Sequence, residues 1–271
     1  MDRNLSKDIN AILGNSIILP SGILDQLAES IIEIQLEPGE KLNDFNYPIP
    51  GLLLIQQGEL RLIALDEKKD IFTLKIFSKG EVVGANELLR GVFDQSFAAS
   101  TPLKGILLPS KDFLKLISLN PSNFESFSHL VLNELYSSII SCKSIALNQS
   151  ARDILTWVKK QCLDSSKVLN LEPGEHFLSE VNEKLIISSC NFENLAPGTL
   201  IQSPIRLNVT GKIPGRLIYL PSNLPKFPIQ SPPQTSNTDK AINKVNVKKH
   251  GDQIQSEALE DWYGISNQKR S

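Results

Sequence analysis

The chain has 271 residues, 41% of them hydrophobic, and a formal net charge of −2. At about 100–200 residues per domain this allows one large domain or two small ones, each able to bury a core. The near-zero charge argues against a nucleic-acid surface, which needs concentrated Lys and Arg. No apolar run approaches the roughly 18–20 residues that span a bilayer, and Met1–Asp8 lacks the apolar centre of a secretory signal, so the expected location is the cytoplasm.

Two short helices are predicted in the first ~30 residues. Leu5, Ile9, Ile12 and Leu13 share one face; Leu24, Leu27, Ala28 and Ile31 share another after Pro20-Ser21. From Ile32 to Leu108 the pattern changes to short β-type runs: 32–36, 52–55, 60–63, 72–76 and 106–108, separated by Pro38-Gly39, Gly58, Asp66–Asp70 and Gly80. Strands at this spacing with glycine turns predict a barrel or jelly roll. Ser110 caps a further helix. From Pro121 a longer helix is predicted, with Phe124, Phe127, Val131, Leu135 and Ile139 as an apolar stripe that either packs on the core or forms a dimer seam. A last helix spans about Ala151 to Leu163. Pro221, Pro225, Pro228, Pro232 and Pro233 then open a polar stretch expected to be a disordered linker, interrupted by Trp262-Tyr263, a candidate docking peptide.

Catalytic and metal patterns are missing. Cys142, Cys162 and Cys190 form no C-x-x-C pair, and His129, His176 and His250 are scattered, so no catalytic or metal-binding residues are assigned. Ile32 to Leu108 holds no histidine, which disfavours a metal-dependent barrel enzyme.

Leu-Glu-Pro-Gly-Glu occurs at Leu36–Glu40 and again at Leu171–Glu175, an offset of 135. Lys79–Val83 is echoed by Pro197–Ile201 at an offset of 118, and Ile106–Ser110 by Ile218–Ser222 at 112. Leu52–Ile55 has a weaker echo in Lys184–Ile187. Four echoes in one order indicate duplication. The falling offset places the main loss in the second copy at the counterpart of the Gly58–Ile76 hairpin, with a smaller loss between Val83 and Lys104. The expected division is a helical extension (1–19), a complete barrel (20–145), an eroded barrel (146–227) and a tail (228–271).

The first copy resembles the cyclic nucleotide-binding domains of bacterial regulators and kinases over about Pro20 to Leu135. The resemblance lies in Pro38-Gly39-Glu40, Leu54–Leu60, Gly80-Glu81-Val82-Val83-Gly84, Ala98–Thr101 and Leu108–Phe113, in that order. It implies a mainly β jelly roll with flanking helices, followed by the eroded copy. It also implies a phosphate-binding cassette at Gly84, Ala85, Asn86, Glu87, Leu88, Gln95 and Ser96. Such a cassette holds a cyclic phosphate on the backbone N–H groups that open a short helix. Family members add a Glu after the second glycine and an Arg on the phosphate; here those positions read Ala85 and Gln95. Losing both contacts predicts a weakening of roughly a hundredfold or more, so no cofactor is expected. Glu87 and Arg90, the nearest substitutes, are expected at exposed helix positions.

Arg61-Leu62, Leu88–Gly91 and Ala99–Pro102 also resemble the cytosolic N-terminal region of bacterial peptidase-containing ATP-binding cassette exporters. That implies a non-catalytic regulatory module whose partner is an exporter's peptidase and ATPase, at the inner face of the membrane, with Asp261–Gly264 in a connector. Self-association through Phe124–Ile139 is the other expected partner. The alternative is a nucleotide-responsive transcription regulator, against which no recognition helix follows Ile139.

Overall fold

The computed structural model describes Ile12, Leu27, residues 29–66, 69–119, Phe124, Phe127, 129–142, 150–179, 184–220 and 262–264. The two helices expected before residue 31 lie outside the described residues, except that Ile12, Leu27, Glu29 and Ser30 are helical.

The first eight strands are β1 (Ile32–Leu36), β2 (Lys41–Asn43), β3 (Gly51–Gln57), β4 (Leu60–Leu65), β5 (Ile71–Phe77), β6 (Val82–Val83), β7 (Ser96–Ala99) and β8 (Leu103–Pro109). They form two four-stranded sheets, in the orders β1-β8-β3-β6 and β2-β7-β4-β5. The pairs 1/8, 2/7, 3/6 and 4/5 are all antiparallel, as when one long hairpin is rolled over on itself. This nesting is a jelly roll. Strand patterns follow position. Residues 51–55 of β3 lie between neighbours on both sides and are all buried, whereas β5, on a sheet edge, exposes most of its residues.

The second set is β9 (Lys167–Leu171), β10 (Gly174–Leu178), β11 (Lys184–Ile187), β12 (Leu200–Gln202), β13 (Ile205–Val209) and β14 (Gly215–Leu220). Its orders are β9-β14-β11-β12 and β10-β13, so the nested pairs 1/8, 2/7 and 3/6 have counterparts. Register is kept as well. Leu36 opposite Leu103 corresponds to Leu171 opposite Gly215, and Leu54 opposite Ile106 and Val82 corresponds to Ile186 opposite Ile218 and Leu200. The innermost hairpin, β4–β5, has no counterpart strands among the described residues. Phe192 bridges Val209 on β13 where β4 would pair with β7. The chain is therefore a complete jelly roll followed by an eroded second copy.

Helices join the two. They are α1 (Ala85–Arg90), α2 (Ser110–Leu119), α3 (Leu132–Ser141) and α4 (Ala151–Trp157), the last running on as a π turn over Val158–Cys162. Ser150 caps α4, its hydroxyl accepting from the Asp153 N–H at 3.3 Å. The long helix expected from Pro121 is corrected: α3 begins only at Leu132, after Val131 in extended conformation (φ −110°, ψ 152°). The cause is distant in sequence. In a continuous helix the Phe127 carbonyl would accept from the Val131 N–H; here it accepts from Arg216 Nη1 at 3.1 Å. Phe124, Leu135 and Ile139 are buried within the chain's own core, the core-packing alternative for these three, while Phe127 and Val131 are half-buried. That core runs through the first barrel and on to Ile186, Ile218 and Leu220 of the second.

Candidate functional site

Helix α1 is six residues long and is stopped at both ends by glycines in the left-handed region, Gly84 (φ 99°) and Gly91 (φ 63°). At Gly84 a Cβ would also lie 2.6 Å from the Gly51 carbonyl oxygen, so no other residue fits that approach. Leu88 and Leu89 are buried against the barrel, which is ordinary amphipathic behaviour. Glu87 and Arg90 are buried too, at 4% and 1% exposure, contrary to the solvated positions expected for them. The reason is that α1 is covered on its outer side by α3 and by the second barrel.

A cavity of about 600 Å³ opens beside α1, between β5, β6, β7 and the segment leading into α3. Of the cassette residues, Gly84, Ala85, Asn86 and Glu87 line it. Much of its wall is apolar, with Phe77, Val82, Val83, Phe97 and Leu132. The other cassette residues are occupied elsewhere. Leu88 packs in the core, Gln95 donates to the Asn133 carbonyl at 3.2 Å, and Ser96 donates to the Asn43 carbonyl at 2.5 Å.

The Glu87 carboxyl accepts from Asn133 Nδ2 at 2.9 Å. Burial pushes its pKa up; its own backbone N–H, Arg90 and Asn86 oppose the rise, and Asp94 adds to it. The net direction is upward, which favours the neutral acid. Lys75 also lines the cavity, but its ammonium is paired with Glu81 at 3.1 Å and lies 4.2 Å from the Phe77 ring centroid.

Behind α1 a buried polar network ties the two barrels together. Arg90 Nε donates to the Ser188 carbonyl and hydroxyl, both at 3.0 Å, and Nη2 to Ser137 Oγ at 3.1 Å. Arg216 on β14 grips Glu134 on α3 through two bonds, Nε to Oε1 at 3.0 Å and Nη2 to Oε2 at 2.8 Å. Ser188 closes the circuit by donating to Glu134 Oε1 at 2.8 Å. Burial alone would raise the Glu134 pKa; Arg216, Arg90 and Ser188 outweigh it and hold the carboxyl below its ordinary range. Two buried guanidiniums around one fully ionised carboxylate form a fixed electrostatic joint. The sequence singled out neither Arg216 nor Glu134; their signal is a charged residue inside an otherwise apolar strand or helix face.

Trp262-Tyr263, read in the sequence as a candidate docking peptide interrupting an otherwise disordered tail, is docked with Gly264 at this junction, with Tyr263 2% exposed. Among the described residues no group of three or more His, Cys, Asp and Glu could hold a metal ion, and no helix is long and apolar enough to cross a membrane.

No family model matches the chain, and no curated protein matches it in sequence. Among solved structures, it is similar to the regulatory domain of Toxoplasma gondii PKA crystallised with cAMP, at 13% identity over 82% of this chain and 91% of that one (TM-score 0.39). It is also similar to the sensor domain of the transcriptional regulator DNR from Pseudomonas aeruginosa, at 14% identity over 54% of this chain and 97% of the other (TM-score 0.41). A Crp/Fnr-family structure from Eubacterium rectale is similar at 16% identity and TM-score 0.39; 53% of this chain covers 60% of that chain's length.

Proposed function

We propose that this chain is a non-catalytic regulatory module of cyclic nucleotide-binding type, in which the first barrel accepts a small, largely apolar, uncharged molecule and the second serves as its support. The observation that carries this reading is the Glu87 carboxyl. It lies in the first turn of α1, where a cyclic phosphate would seek backbone N–H groups, and it is held there by Asn133 Nδ2 at 2.9 Å. An anion would have to share this turn with a buried carboxyl side chain, with neither the Glu nor the Arg that family members supply. A neutral polar group facing Glu87 and Asn133, attached to an apolar body against Val83 and Phe97, suits the same walls.

The test is calorimetry of the full chain with cAMP and cGMP, beside fluorescence with the uncharged apolar dye N-phenylnaphthylamine. No nucleotide heat is expected up to millimolar concentration, while the dye binds and is lost in Ala85→Trp. Micromolar nucleotide binding, abolished by changing Gln95 or Glu87, would sink the proposal. Association with an exporter's peptidase and ATPase, and with it a place at the inner face of the membrane, rests on the sequence resemblance alone. Arg90, part of that resemblance, already has an internal role, its guanidinium being spent on Ser188, Ser137 and Ser138.

A further inference from the structure

The docked residues 262–264 occupy a site with walls from both barrels. From the first, the Tyr263 hydroxyl donates to the Leu88 carbonyl on α1, and the ring lies over Gly91, where a Cβ would sit 2.9 Å from it. From the second, the Lys212 N–H donates to the Trp262 carbonyl at 2.9 Å and Thr210 Oγ1 to the Tyr263 carbonyl at 3.0 Å. The Lys212 ammonium stands 5.2 Å from the Trp262 ring centroid, a cation–π distance.

Each position is selected. A Cβ on Gly211 would lie 2.3 Å from the Trp262 carbonyl oxygen, and one on Gly264 2.6 Å from the Gly211 nitrogen. Gly264 also has φ +66°, in the left-handed region. The site thus reads an aromatic ring, a tyrosine with its hydroxyl, and a glycine, in that order. The segment reaches it across the 41 residues that separate Leu220 from Trp262, and it joins no sheet. A covalent tether raises the local concentration of its end, so a contact of modest intrinsic affinity suffices to keep such a site filled.

We propose that the junction between the barrels is a peptide-binding site for a Trp-Tyr-Gly segment, filled by residues 262–264 of this chain and open to exchange with the same sequence supplied as a separate peptide. Because Leu88 belongs to α1, the peptide site and the cavity share one helix.

The experiment uses the full chain and a fluorescein-labelled peptide of residues 257–268. In wild type the tail competes; in the full-length double variant Trp262→Ala with Tyr263→Ala the site is vacant. The peptide is expected to bind the double variant at least tenfold more tightly than wild type, and a Gly264→Ala peptide is expected to bind neither. Hydrogen exchange at the Lys212 amide should quicken at least tenfold in the double variant and slow again on adding peptide. Equal binding to both proteins, or none to either, overturns the proposal. If the double variant fails to fold, wild type cleaved at a protease site inserted between residues 235 and 250 decides the matter. Release of the tail fragment on dilution and its replacement by labelled peptide support exchange; retention without replacement refutes it.

Discussion

In the first barrel, β3 leads into the β4–β5 hairpin, which pairs with β7 and supplies Leu74, Lys75 and Phe77 to the cavity. In the second, β11 leads into a short loop in which Phe192 bridges Val209, and Ser188 and Cys190 form a platform beneath Arg90. The cassette helix is gone there as well: β12 passes through a turn at Ser203-Pro204 straight into β13. What the second copy lost are counterparts of the elements that wall the cavity; what it kept is the pairing of its outer strands. The eroded copy buttresses the first barrel, and the surface opened by the loss is where the two copies join.

Breaking the joint should have the largest effect. Glu134→Gln leaves Arg216 and Arg90 buried without a counter-charge, and a loss of about 3–5 kcal/mol is expected in urea denaturation. A double variant replacing Glu134 and Arg216 by Met should recover most of it; a loss under about 1 kcal/mol for the single variant would mean the barrels do not depend on this contact. The pH dependence follows in sign. A carboxyl held below its ordinary pKa stabilises the fold above the unfolded carboxylate range, and that contribution is lost as pH falls through the folded value.

The turn before β6 and its counterpart before β12 allow a matched comparison. Gly80 (φ 89°) has nothing within 4 Å of its absent Cβ, whereas Gly198 (φ 84°) has the Ser141 carbonyl carbon and oxygen at 2.6 Å. Gly80→Ala should cost about 1 kcal/mol for its left-handed backbone. Gly198→Ala should cost about 1–3 kcal/mol more, from overpacking against the end of α3. Equal losses would show that the second turn is not wedged there.

Glu87→Gln sharpens the difference at the cavity. A carboxyl whose folded pKa is raised favours the fold while protonated and penalises it as pH rises above the unfolded carboxylate range. The variant should therefore be more stable than wild type at neutral pH, removing a slope of at most about 1.4 kcal/mol per pH unit. Identical stability curves from pH 4 to 8 would contradict the upward shift. The smallest effect is expected at Glu81, whose counterpart in the second copy is Thr199. Its exposed pair with Lys75 is worth less than about 0.5 kcal/mol, so Glu81→Gln should barely move the melting temperature.

Much of this architecture was legible in the sequence because it is local. β1, β3, β4, β5 and β8 each carry a run of apolar or alternating residues, and the Pro38-Gly39 and Gly80 turns reappear in the second copy as Pro173-Gly174 and Gly198. The offsets of the repeat located the lost hairpin because deletion leaves a numerical trace. β2, β10 and β13 were not seen: Lys41-Leu42-Asn43 and Gly174–Leu178 have no apolar run, and their strand form comes from pairing with partners far along the chain. At the site, the glycines and the start of α1 were legible as a motif. The inward turn of Glu87 and Arg90 was not, because on a six-residue helix periodicity cannot tell a solvated face from one that a second domain covers. The break before α3 was hidden for the same reason, its cause being a guanidinium 89 residues away.

The separations in this junction also bear on the order in which the molecule is made. Arg90 meets Ser188 across 98 residues, Glu134 meets Arg216 across 82, and the Tyr263 hydroxyl reaches Leu88 across 175. Contacts of such long loops form late, since chain closure must precede any gain from them. On the ribosome, where folding proceeds from the N-terminal end, the first barrel emerges with Arg90 and Glu134 facing a partner not yet synthesised. Its outer wall is completed only by the second barrel, and the helix beside the cavity only by the arrival of Tyr263. The junction is therefore assembled from pieces that leave the ribosome at widely separated times.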